Sequence, residues 1–173
     1  TWLMKQFAAE CFEHSVYVNF ENNQLLEHLF EKDFDMERIL LELQIATHTT
    51  ITPNTLLLFD ELQEVKRGVT ALKYFQELLP EQPIIAAGSL LGIAMHRDDS
   101  FPVGKVDFLT LYPMSFFEFA EAMGEQLLVK QLQDQRWEII NKYASRLETL
   151  LRQYFYVGGM PEVVSAFVQN KDF

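Results

Sequence analysis

Thr55-Leu56-Leu57-Leu58-Phe59-Asp60-Glu61-Leu62-Gln63-Glu64-Val65 is the stretch that decides the fold. Four consecutive apolar residues suit a strand buried on both faces, as in a parallel sheet, whereas a half-exposed strand would alternate. The run ends in two adjacent carboxylates. Neighbouring carboxylates repel each other, so a strand end that carries both has a cation or a proton to manage. The bland alternative is that Asp60 only caps the next helix.

Upstream, Val16-Tyr17-Val18-Asn19-Phe20 reads as a second short strand, preceded by a helix over Thr1–Phe12. Residues 22–46 read as helical, with Leu25, Leu26, Leu29 and Phe30 on a first apolar stretch and Ile39, Leu40, Leu43 and Ile45 on a second. Thr47–Asn54 is a polar turn. Downstream, Val69–Leu79 reads as a helix closed by Pro80 and Pro83. Ile84-Ile85-Ala86-Ala87 reads as a buried strand, and Val106–Leu111 as a fourth. Ser115 is placed to cap a helix from Phe116, with Glu118 completing a capping box. Gln126–Tyr156 is helical in pattern, and Pro161 can open another helix after Gly158-Gly159. Strands alternating with helices give an α/β fold with a mainly parallel sheet, whose ligands gather at the carboxyl ends of the strands.

The chain has 173 residues, of which 49% are hydrophobic and 23% charged, with 15 Phe against 7 Gly: enough apolar surface for a packed core. Its net charge of −11 and lack of any basic run argue against nucleic acid as a partner of this segment. No apolar run approaches the length of a membrane span, about 18 residues. The lone cysteine, Cys11, fits a reducing, cytoplasmic setting and reads as a small core residue rather than a nucleophile. His14, His28 and His96 have no metal-ligand spacing and read as surface residues, and His48 as solvated. Phe116, Phe117 and Phe119 read as core rather than as a base-stacking platform.

The run LLLFDE resembles the Walker B motif of AAA-type P-loop ATPases. The tetrad Asp60-Glu61-Leu62-Gln63 is similar to the D-E-[IL]-Q of a prokaryotic family of such ATPases, in which a poorly characterised domain follows the ATPase core. Four more segments agree in order: Val16–Glu21, Gly88-Ser89, Gly104-Lys105-Val106 with Leu111–Phe119, and Tyr156–Glu162.

The resemblance implies a P-loop NTPase core with strand order 5-1-4-3-2. The four strands named above would be the second to fifth, with the first strand and the glycine-rich phosphate loop lying before Thr1. Val106–Leu111 would then stand one strand's width from Ile84–Ala87. An AAA-like core over residues 1–122 and a helical region over residues 123–173, opening the next domain, are expected.

The resemblance further implies ATP and Mg2+ as ligands. Thr1 would offer its hydroxyl to the metal, Asp60 would hold it through water, and Glu61 would position the attacking water. Ser89 would sense the γ-phosphate, or else serve as a turn or helix-cap serine. Lys105 would reach a phosphate from a neighbouring subunit, or else be a solvated surface lysine. Arg97 is a weaker arginine-finger candidate in an exposed loop. Hydrolysis would drive a conformational change acting on the downstream domain, a protein partner or a homo-oligomer. These residues by themselves are expected to be inactive. The alternative is a regulatory or protein-interaction module that binds nucleotide without hydrolysing it.

Overall fold

The computed structural model describes residues 1–88 and 104–170. The chain forms two compact units, Thr1–Phe108 and Leu109–Phe173.

In the first unit, strand β1 (His14–Asn19), β2 (Thr55–Asp60) and β3 (Ile84–Ala87) form a parallel sheet in the order β1-β2-β3. This is the 2-3-4 portion of the expected order. Every residue of β2 is buried, as its unbroken apolar run requires. Alternation along the strand divides its side chains between two cores. Leu57 and Phe59 join Val16 and Val18 on one face, under helices α2 (Met36–Thr47) and α3 (Gly68–Leu78). Leu56 and Leu58 face the other way, against Ala8, Met4 and Phe12 of α1 (Trp2–Cys11) and its exit. Asp60, in phase with Leu56 and Leu58, is thereby directed to the α1 side.

Residues 22–35 are not the helix that their apolar spacing predicts. Only a short 3-10 turn forms, at Gln24–Leu26. Asp35 starts α2 afresh, its carboxylate accepting the backbone N–H groups of Glu37 and Arg38. Leu26, Leu29 and Phe30 are still buried, but as anchors of a compact loop. Arg38 ties that loop to α2. Its guanidinium donates to Asp33, to Glu42 and to the Leu29 carbonyl.

Val106–Leu111 is not a strand either. It is irregular, and Leu109 and Leu111 are 90% and 73% exposed. An apolar run becomes a strand only when a neighbouring segment takes up its backbone groups, and this run joins neither edge of the three-stranded sheet. Its expected spacing from β3 therefore has no counterpart. Cys11 is exposed, not core: it is the last residue of α1, a helix in which only Ala8 is buried. His14, His28 and His48 are exposed as expected, and His96 lies outside the described residues.

The second unit is helical: α4 (Phe116–Ala122), α5 (Gln126–Gln133), α6 (Trp137–Lys142), α7 (Ala144–Val157) and α8 (Pro161–Asn170). The Ser115–Glu118 capping box forms as the sequence predicts. Phe119 is fully buried and Phe116 partly so, but Phe117 is 41% exposed, because three aromatics this close on one helix cannot all face the same core. The single helical pattern over 126–156 is divided into three helices. Gln135 adopts left-handed backbone (φ 53°) between α5 and α6, where Asp134-Gln135-Arg136 offers no apolar anchor.

Candidate active site

The register sets Asn19, Asp60 and Ala87 level with one another, so the three strands finish on one edge. α1 runs from that edge back to the start of β1. Its first turn therefore presents free backbone N–H groups and the positive end of the helix dipole toward the strand ends.

Asp60 is 3% exposed. Its Oδ2 accepts two hydrogen bonds, from Thr1 Oγ1 at 2.5 Å and from the Tyr17 hydroxyl at 2.8 Å. Burial, the largest single influence, acts to raise the Asp60 pKa, but the bonds from Thr1 and Tyr17, the nearby positive amino terminus and the Glu61 backbone N–H together hold the carboxyl below its ordinary value. Tyr17 moves the opposite way. Burial, followed by the bond to Asp60, pushes its hydroxyl up, so it stays a donor. The ammonium of Lys5, one turn into α1, lies 3.6 Å from the centre of the Tyr17 ring. Sequence reasoning missed Tyr17. Its signal was present in the two-residue period: paired with Leu58, it shares the face of Asp60.

Glu61 leaves the strand in left-handed backbone (φ 52°, ψ 43°), a costly conformation for a residue with a Cβ. It opens a 3-10 turn, Leu62–Glu64, in which Leu62 is fully buried and locks the turn to the core. The Gln63 amide reaches back, its Nε2 donating to Glu61 Oε2 at 2.5 Å. Arg67 closes the loop. It too is left-handed, donates to the Glu31 carbonyl at 2.8 Å, and lies over the Phe34 ring, which stacks on Tyr74. Gly68 follows because nothing larger fits: a Cβ there would lie 2.5 Å from the Leu62 carbonyl oxygen.

Thus Thr1, Asp60 and Glu61 meet at one edge. Lys105 does not join them. It pairs at 3.7 Å with Glu77, in the last turn of α3, which runs back toward the amino ends of the strands. Ser89 and Arg97 lie outside the described residues. An open groove lined by Phe12, Glu13, Pro53, Asn54 and Pro80 occupies the amino edge of the sheet, away from the carboxylates.

The donor set suits a hard divalent cation of the magnesium type. It consists of one ionised carboxylate and one hydroxyl, all oxygen, and among the described residues no cluster of three His, Cys, Asp or Glu could cage a metal alone. Mg2+ is commonly held by one or two protein oxygens together with waters and substrate phosphates.

No curated protein and no solved structure matches the chain. Among the described residues no helix is long and apolar enough to cross a membrane. A family model described as an AAA domain matches residues 1–120, a span that contains the whole parallel sheet, Thr1, Asp60 and Glu61. The chain therefore belongs to the AAA domain family of nucleotide-binding P-loop ATPases.

Proposed function

We propose that the carboxyl edge of the sheet is a Mg2+–ATP hydrolysis site in which Thr1 and Asp60 hold the metal and Glu61 orients the attacking water. The observation that carries this reading is the 2.5 Å hydrogen bond between Thr1 Oγ1 and Asp60 Oδ2. In P-loop enzymes a hydroxyl at the start of the first helix and a carboxylate at the end of a central strand share the metal shell. Bound Mg2+ would neutralise charge developing on the phosphate oxygens.

The protein's own residues supply the rest. The N–H groups at the start of α1 favour a phosphate on electrostatic grounds. Tyr17 and Thr1 keep Asp60 ionised by donating to it. Glu61 is an acceptor one residue further on, where a water attacking a phosphate would be oriented. Turnover at Glu61 would be felt by the strained turn Glu61–Gly68, which Arg67 links to the loop before α2. That link is a physical route by which hydrolysis drives a conformational change.

The test is Mg2+-dependent ATP binding by the full-length protein carrying Asp60→Ala. Binding should lose its dependence on Mg2+ and weaken. Unchanged Mg2+-dependent affinity would remove Asp60 from the metal shell.

A further inference from the structure

Gln63 sits two residues beyond Glu61, with its amide nitrogen between two carboxylates: Glu61 Oε2 at 2.5 Å and Glu64 Oε1 at 3.4 Å. Those neighbours fix the orientation of the amide, because only its NH2 end can donate to them. Its carbonyl oxygen, Oε1, is buried and has no hydrogen-bond partner. A buried acceptor left unsatisfied is costly, and an apolar side chain of similar volume would avoid that cost. A purely structural role would therefore be better served by methionine or leucine. What glutamine supplies, and they cannot, is a donor to Glu61.

The Glu61 backbone is left-handed, so its carboxylate starts from an unusual direction and is not aligned by the strand. The 3-10 turn brings Gln63 back beside it, and buried Leu62 between them holds the turn in place. We propose that Gln63 is a positioning residue that fixes the rotation of the Glu61 carboxylate for its work on the attacking water. The inference rests on the proposed role of Glu61 and adds to it the residue that aims that group. A neutral donor does this without altering the charge of the site. A glutamate in its place would set a second carboxylate against the first, and the two like charges would push the Glu61 carboxylate out of line.

The test uses the full-length protein with Gln63→Met and Gln63→Glu, measuring kcat and KM for ATP at saturating Mg2+, with Glu61→Gln alongside. Gln63→Met should lower kcat by on the order of 10- to 100-fold with little change in KM, the signature of a misaimed group. Gln63→Glu, which turns the donor into a repelling acceptor, should lower kcat at least as far, again with little change in KM. The near-isosteric Gln63→Glu change keeps the test valid if Gln63→Met does not fold. If both variants keep the parental kcat while Glu61→Gln is inactive, Gln63 is not a positioning residue although Glu61 acts as proposed. If Glu61→Gln itself turns over at the parental rate, the role of Glu61 fails, and the inference with it.

Discussion

Thr1 and Asp60 stand 59 positions apart in sequence and 2.5 Å apart in space, hydroxyl to carboxylate. The contact joins the first turn of α1 to the end of β2, and it depends on strand phase: Asp60 faces α1 because Leu56 and Leu58 do. If the pair serves a metal, the hydroxyl and not the bulk of Thr1 is what counts. In the full-length protein Thr1→Val should raise the Mg2+ concentration needed for half-maximal ATP hydrolysis by on the order of 10-fold. Thr1→Ser should stay near the parental value. A Mg2+ titration of both variants checks this, and equal behaviour of the two would contradict it.

Tyr17 gives a prediction in pH. The folded-state pKa of Asp60 lies below the ordinary value of 3.8. The ionised form therefore adds stability that is fully present above the unfolded-state value and is lost as pH falls through the folded one. Tyr17→Phe removes one of the two side-chain donors and lets the folded pKa rise. Acid unfolding followed by circular dichroism should then begin at higher pH than in the parent, while stability near neutral pH falls. An unchanged acid midpoint would mean that the Tyr17 bond contributes nothing.

Gly68 is required by crowding. A Cβ would lie 2.5 Å from the Leu62 carbonyl oxygen and 2.6 Å from Val65 Cγ1, both in the turn that carries Glu61 and Gln63. Gly68→Ala should cost about 1–3 kcal/mol in a urea melt, as overpacking does. It should also lower ATP turnover, because the turn must open to admit the methyl group.

A similar argument explains why Pro113-Met114-Ser115 and Gly158-Gly159 occur together. Met114 N–H donates to the Gly159 carbonyl at 2.7 Å, and the Tyr154 hydroxyl donates to the Met114 carbonyl at 2.9 Å. A Cβ on Gly159 would come within 2.3 Å of that same Met114 oxygen. Gly159→Ala should therefore destabilise the helical unit by about 1–3 kcal/mol. Thermal melts of the parent and the variant check this, and unchanged stability would show that the two segments are not held in this contact.

What could be read from the sequence was whatever one local pattern controls. The run Leu56–Phe59 fixed β2 as buried on both faces, and Ser115 with Glu118 marked a helix start, because each signal lies within a few residues. Thr1, Asp60 and Glu61 came from motif resemblance, and the strand phase that brings Thr1 to Asp60 was itself present in the chain. Residues 22–35 misled because Leu26, Leu29 and Phe30 have helical spacing but are buried by a loop that Arg38 fastens. Val106–Leu111 misled because an apolar run signals a strand only if a partner strand meets it. Tyr17 and Gln63 escaped notice as functional candidates for a related reason. Both lie inside quoted motif segments, but their roles depend on cross-strand register and on a left-handed turn, which a motif does not spell out.

The claim at the centre is that Glu61 works on the attacking water and does not bind the nucleotide. Glu61→Gln in the full-length protein tests it most directly, with ATP affinity and single-turnover hydrolysis measured on the same preparation. Affinity should stay near the parental value while hydrolysis slows by a factor on the order of 10²–10⁴. Hydrolysis at the parental rate with ATP bound would contradict the account.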